Sequence, residues 1–310
     1  MASRNRVLFV VALLGAGCAE DKVIGPNGDV DGGGSIDGSV PIDSSGPSVD
    51  APPGATPCDM NGIWITTQVV FSSALGARQK AVNWYYHEIQ QQTDGSFRVV
   101  KSLDCGFRVT GTVTVTLSDN TLEALAKHST GVGRTGTFKP NAANTMCDFS
   151  MVRAYSVRGV NVPMFLSNHW KYGDPDKALS TFPPLPNTPA GGMEDWDADN
   201  MDGITLDVAG IISGKRYVGQ RDWTSYAGAV AQNSIAFGGM GQLSVSWDSQ
   251  EAVSAQTTQA LRTTATPENP GFVFFDKVNG ELTVVTAGAR PELETCKNVQ
   301  RLALMKHPNP

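Results

Sequence analysis

No stretch of the 310-residue chain reaches the ~20 consecutive apolar residues that a helix needs to span a bilayer; the apolar run Val7–Leu14 falls far short. Membrane-spanning helices are therefore not expected in the mature chain. A basic surplus is also lacking, since 24 Lys and Arg face 30 Asp and Glu for a formal net charge of −6. Nucleic acid, whose binding requires phosphate neutralisation, is not an expected partner. Catalytic signatures are sparse as well. There is no G-x-S-x-G elbow, no G-x-x-x-x-G-K phosphate loop and no G-x-G-x-x-G between a strand and a helix. His87-Glu88-Ile89-Gln90-Gln91 begins like a zinc-protease motif, but Gln91 stands where the second histidine belongs.

What is present begins with a leader. Arg4 and Arg6 precede the apolar run, and the small residues Gly15-Ala16-Gly17 follow it, the pattern of a secretory signal over residues 1–17. Cys18 comes next, so Leu14-Gly15-Ala16-Gly17-Cys18 resembles the lipobox of bacterial lipoproteins, with Gly15 at the place where that family most often has Leu. The resemblance implies lipidation of Cys18 and membrane anchoring through acyl chains, several of which together anchor stably. Ala19, in place of the retention residue Asp, implies the outer membrane, on its periplasmic or cell-surface face. Ordinary cleavage would instead release a secreted protein.

Residues 18–57 read as a tether. Glu20–Pro57 has no aromatic residue and is dominated by Asp, Gly, Ser and Pro, a composition that cannot bury enough apolar area to offset its ordering entropy. As a flexible coil it spans on the order of 30–40 Å. The leader carries +2 and the tether −6, leaving a nearly neutral −2 on residues 58–310.

That head reads as mainly β: an antiparallel barrel or sandwich, in one unit or two related ones with residues 58–170 and 195–310 as halves, and one or two short helices. Strand signals fall at Phe97–Val100, Cys105–Leu117, Ile204–Val208, Lys215–Tyr226, Gly241–Trp247, Gly271–Val278 and Glu281–Thr286, with Asn279-Gly280 as a hairpin turn before the last. Thr121–His128 and Pro291–Leu304 read as helices, the second opening on proline with Glu292 and Glu294 in its first turn. Gly62-Ile63-Trp64 resembles the Gly-x-Trp opening of lipocalins and related calycin barrels, in which the Trp begins the first strand and plugs one end. A proline-rich loop, Lys171–Asp195, divides the head.

Two clusters carry chemistry. Cys58, Cys105, Cys147 and Cys296 remain after Cys18, an even number that in an exported chain implies two disulfides. Three connectivities exist, and the favoured one joins Cys105 to Cys147 and Cys58 to Cys296. The second cluster, Asp195-Trp196-Asp197-Ala198-Asp199-Asn200-Met201-Asp202-Gly203, sets alternate carboxylates on a tight loop, as a hard cation taking six to eight oxygens requires. It resembles the D-x-D-x-D core of EF-hands, dockerins and thrombospondin type 3 repeats. The resemblance makes Asp195, Asp197, Asp199 and Asp202 ligands of a structural Ca²⁺, although Asn200 replaces the EF-hand glycine and Leu206 the bidentate Glu.

The expected function is that of an outer-membrane-anchored binding module for a small hydrophobic ligand, a glycan or an envelope protein. Two alternatives stay open. One is a surface polysaccharide hydrolase drawing carboxylates such as Glu88, Asp104, Asp222 and Asp248 from separate strands; the other is a calcium-stabilised structural or adhesive protein.

Overall fold

A computed structural model describes residues 58–74, 77–129, 131–160, 193–210, 213–231, 239–254, 261–265, 268–278 and 280–310. The leader, Cys18, the tether and most of the proline-rich loop lie outside them. The strands are β1 (Gly62–Ala74), β2 (Ala77–Gln91), β3 (Ser96–Thr110), β4 (Val113–Leu117), β5 (Thr135–Pro140), β6 (Met146–Arg158), β7 (Ile204–Gly210), β8 (Gly214–Ala231), β9 (Gly239–Ser254), β10 (Leu261–Ala265) and β11 (Glu268–Lys277). Among the described residues two helices accompany them, α1 (Asp119–Lys127) after β4 and α2 (Pro291–Lys306) after β11.

The head is mainly antiparallel β, as its alternating strands imply. The hydrogen-bonded order β10-β9-β11-β1-β2-β3-β4-β7-β8-β6-β5 is closed on itself by a β8–β9 pairing, Val218 opposite Ser254 through Ala227 opposite Ser244. The ring β9-β11-β1-β2-β3-β4-β7-β8 has eight strands. Closure removes the sheet edges that would otherwise template aggregation. Between β3 and β8 the wall is made by two short pairs in tandem. β5 takes the N-terminal end of β3 at Ser96–Arg98 and β4 takes its C-terminal end at Val109, while β6 and β7 meet β8 in the corresponding order.

Alternation along each strand sorts the side chains. Trp64, Val70, Ile89, Phe97, Val99, Phe138, Phe149, Met151, Tyr226, Val273 and Phe275 come from strands all round the ring and form one apolar cluster in the interior. Phe107, Val109, Val113, Val115, Ile204, Leu206, Val208 and Val218 form a second where β3, β4, β7 and β8 meet. The opposite face of β1–β3, with Ile65, Val69, Val82, Trp84, Tyr86 and Leu103, packs against Leu293, Cys296, Val299 and Ala303 of α2 and Leu122 and Ala126 of α1. Apolar residues three to four apart on α2 thus cover the outside of the barrel. Arg290 pairs with Glu123, and Lys297 with Asp119 at 2.8 Å, joining the two helices.

Several expectations are corrected. The favoured disulfide pairing is wrong: Cys58 bonds Cys147, and Cys105 bonds Cys296. Cys105 lies on the helix-covered face of β3 and Cys147 in the interior cluster, so the barrel wall separates them. Cys105–Leu117 is two strands, because the chain reverses at Gly111-Thr112, where Gly111 takes φ 155°, a conformation that residues with a side chain rarely adopt. Glu281–Thr286 is not a strand. Leu282 and Val284 are pulled onto the helix-covered face, and the backbone is held by Thr295 Oγ1, which accepts from Val285 N at 2.9 Å, and by Asn298 Nδ2, which donates to Thr283 O at 2.9 Å. Asn279 lies outside the described residues. The first helix starts two residues earlier than expected, where Ser118 Oγ caps Thr121 N at 3.2 Å.

Candidate functional site

The acidic loop lies between an isolated bridge, Asp195 to Gly203, and the start of β7. One carboxylate oxygen from each of Asp195, Asp197 and Asp199 lies within 4.8 Å of the other two. Asp202 is half-buried and does not join this group. The turn takes Ala198 (φ 56°) and Asn200 (φ 67°) into the left-handed region, which Asn tolerates better than most residues. Donors surround the carboxylates. Asp195 Oδ2 accepts from Asn200 N at 2.7 Å, Asp199 Oδ2 from Thr205 Oγ1 at 2.7 Å, and Asp197 Oδ2 from Thr205 N at 2.9 Å and Thr121 Oγ1 at 2.7 Å. Thr121 belongs to α1, so the loop is fastened to that helix. Trp196 donates from Nε1 to Val160 O at 3.0 Å and stacks on His128, ring centroids 4.4 Å apart. Burial against the indole, helped by Lys127 and opposed by Glu194, holds the His128 imidazole below its ordinary pKa.

A second cluster, of which only Asp104 and His87 were named from the sequence and neither with these partners, sits inside the barrel. Asp104 and Arg158 are both buried, and Arg158 Nε donates to Asp104 Oδ2 at 2.9 Å. Gly106 (φ 81°) bulges β3 there, and its N–H donates to Asp104 Oδ1 at 3.0 Å. Arg158 is the last residue of β6, Asp104 is mid-β3, and neither strand pairs with the other. The ion pair therefore bridges the wall where the β5–β6 pair gives way to β4–β7. Arg158 Nη2 reaches the Tyr85 hydroxyl at 3.4 Å, and its guanidinium lies 5.0 Å from the Phe107 ring.

Arg134 closes a neighbouring irregularity. The β6–β8 register shifts between Met151 and Ala154, and Arg134 supplies donors to the carbonyls around it, Nε to Val152 O at 3.1 Å and Nη2 to Thr224 O at 2.6 Å. Its guanidinium stacks 4.4 Å over Tyr226, whose hydroxyl donates to Gln68 Oε1 at 2.7 Å. His87 is buried with its ring between Tyr85 and Phe275, and Nδ1 is 3.2 Å from Ser102 Oγ. Ser129 Oγ donates in turn to Ser102 Oγ at 3.3 Å. Burial, and secondarily the Arg134 charge, push the His87 imidazole down to about 3. It is neutral at physiological pH and shares a hydrogen bond with Ser102 through Nδ1. A general base works best with a pKa near the working pH, well above the value to which burial pushes His87.

This depressed pKa has a measurable consequence. Below about pH 6.5 the unfolded chain takes up a proton that native His87 refuses until about pH 3, so stability falls as pH falls through that window, by at most about 1.4 kcal/mol per pH unit. Denaturant unfolding between pH 4 and 7 is expected to show a shallower dependence for His87→Gln than for the unsubstituted chain. Equal slopes would show that His87 titrates freely in the fold.

Among the buried atoms without a hydrogen-bond partner are Thr66 Oγ1 on β1 and Gln220 Oε1 on β8, the latter residue opposite Arg158 in the β6–β8 ladder. Of the hydrolase candidates, Glu88 and Asp104 do not converge. Glu88 lies on the other face of the sheet from Asp104, taking the Tyr86 hydroxyl at 2.6 Å, and the side chains of Asp222 and Asp248 are outside the described residues. A polar groove of about 410 Å³ at the Cys58 end of the barrel is lined by Asp59, Asn61, Gln91, Asp94 and Lys139. Gln91 in it is already committed to Met60 N at 2.6 Å and Phe138 O at 2.7 Å.

Comparison of the chain with known protein families, with curated proteins and with solved structures finds no match in any of the three.

Proposed function

We propose that the chain is exported, held at the outer membrane through lipid on Cys18, and uses its barrel as a receptor for a small hydrogen-bonding ligand of the hydroxyl- or amide-rich kind, such as a glycan fragment. The single observation that supports this is the polar layer inside the closed ring, where Thr66 Oγ1, opposite Tyr85 in the β1–β2 ladder, and Gln220 Oε1, opposite Arg158 in the β6–β8 ladder, are buried and unpartnered. A buried polar atom without a partner costs about 1–3 kcal/mol. Two in one interior call for an occupant that supplies hydrogen bonds. Eight strands enclose room for packed side chains or one small ligand, and this lining favours a polar ligand over the purely apolar one also considered from sequence.

The full chain isolated from its envelope is expected to melt higher than the same preparation unfolded in guanidinium without reductant, desalted and refolded. A site filled at 100 times Kd adds about 2.7 kcal/mol, a difference of roughly 5–10 °C for a domain of this size. Identical melting of the two preparations would count against a retained ligand.

A further inference from the structure

We infer that Asp195, Asp197 and Asp199 form a site for a hard divalent cation of the calcium class. This goes beyond the receptor reading and does not depend on the barrel interior. Three carboxylates present one oxygen each within 4.8 Å of one another. Proximity of acidic groups alone would be unremarkable on a surface, but Asp197 is not on the surface: it is 5 % exposed. Its Oδ2 is held by Thr205 N and Thr121 Oγ1, whereas its Oδ1 is buried and accepts from nothing. That leaves Oδ1 as the atom offered to a ligand. Among the described residues no Lys or Arg pairs with any of the three carboxylates.

The chemistry follows from that donor set. Oxygen-only ligands with net negative charge select a hard cation over zinc or copper. Three protein carboxylates leave the remaining positions of a six- to eight-oxygen shell to backbone carbonyls and water, which calcium accepts more readily than magnesium does. Asp195 accepts from Asp199 N at 3.3 Å and Asn200 N at 2.7 Å, and Asp199 from Met201 N at 3.0 Å and Thr205 Oγ1 at 2.7 Å, so each of their oxygens keeps one lone pair for a cation while these donors, with those on Asp197 Oδ2, orient the carboxylates as outer-sphere partners do for metal ligands. Since Asp197 also accepts from Thr121 of α1, a bound cation would tie the entry of β7 to that helix. An exported module works with Kd of about 10⁻⁴–10⁻³ M, the range expected here.

The test uses the full chain stripped with EDTA and dialysed free of chelator. Terbium is the probe, and Trp196, between two of the ligands in sequence, is the sensitiser. Excitation of tryptophan should give terbium emission that calcium displaces, and millimolar calcium should raise the melting temperature by about 1–6 °C, with sodium without effect. Asp199→Asn, at a half-buried position less critical for folding than Asp197, should weaken calcium at least tenfold in both readouts. Absence of sensitised emission together with unchanged melting in calcium would overturn the assignment, and so would a calcium response that Asp199→Asn leaves intact.

Discussion

Replacing Cys105 and Cys296 together by alanine is expected to lower the melting temperature by roughly 10–20 °C, the largest effect of any pair in the head. Their bond closes a loop of 191 residues. In the chain-entropy model a loop of that length restricts the unfolded state by about 5 kcal/mol, and each kcal/mol moves the transition by roughly 2–4 °C for a domain of this size. The bond is also the covalent link between α2 and the outside of β3. Losing it should let α2 lift from Ile65, Trp84, Tyr86 and Leu103, so limited proteolysis would cut between β11 and α2 in the variant and leave the parent intact. Melting within 2 °C of the parent, measured with the Cys58–Cys147 bond confirmed, would mean that helix packing alone holds the fold.

Arg158→Met is the second large effect. It leaves the Asp104 carboxylate buried with only the Gly106 N–H, and breaking a buried pair from one side costs about 3–5 kcal/mol. Removing both charges is a different matter. Asp104→Leu with Arg158→Met should recover most of that loss, since an apolar pair of similar volume is often neutral or stabilising where a buried ion pair stood. A double-mutant cycle by denaturant unfolding measures the coupling. Additive single and double variants would show that the pair does not staple the wall between β3 and β6.

The antiparallel β class and several of its strands were legible in the chain, whereas β5, β6 and β10 were not. Phe, Val and Thr at alternate positions mark β3, β4, β7 and β8, and Pro291 with two early glutamates marks α2. Disulfide connectivity was not, because it depends on which face of β3 carries Cys105, and Leu103 to Phe107 is buried on both faces. When a helix covers the outside of a barrel, alternation no longer tells inside from outside. The same ambiguity hid the polar layer. Asn83, Tyr85 and His87 alternate with Val82, Trp84 and Tyr86, and only the ring shows that the first set points inward. Arg134 and Arg158 carry no local signal, since their partners lie 18 to 90 residues away in sequence. The acidic loop was readable because its residues are adjacent in the chain; the burial of Asp197 by Thr121, 76 residues earlier, was not.

Native mass spectrometry of the full chain, isolated from its envelope in mild detergent and never unfolded, tests the receptor reading most directly. The predicted result is a polar organic adduct that stays with the folded chain, is released on denaturation, and is lost from a Thr66→Val, Gln220→Leu double variant. One and the same mass for the native and denatured chain, with no adduct on either, would contradict it.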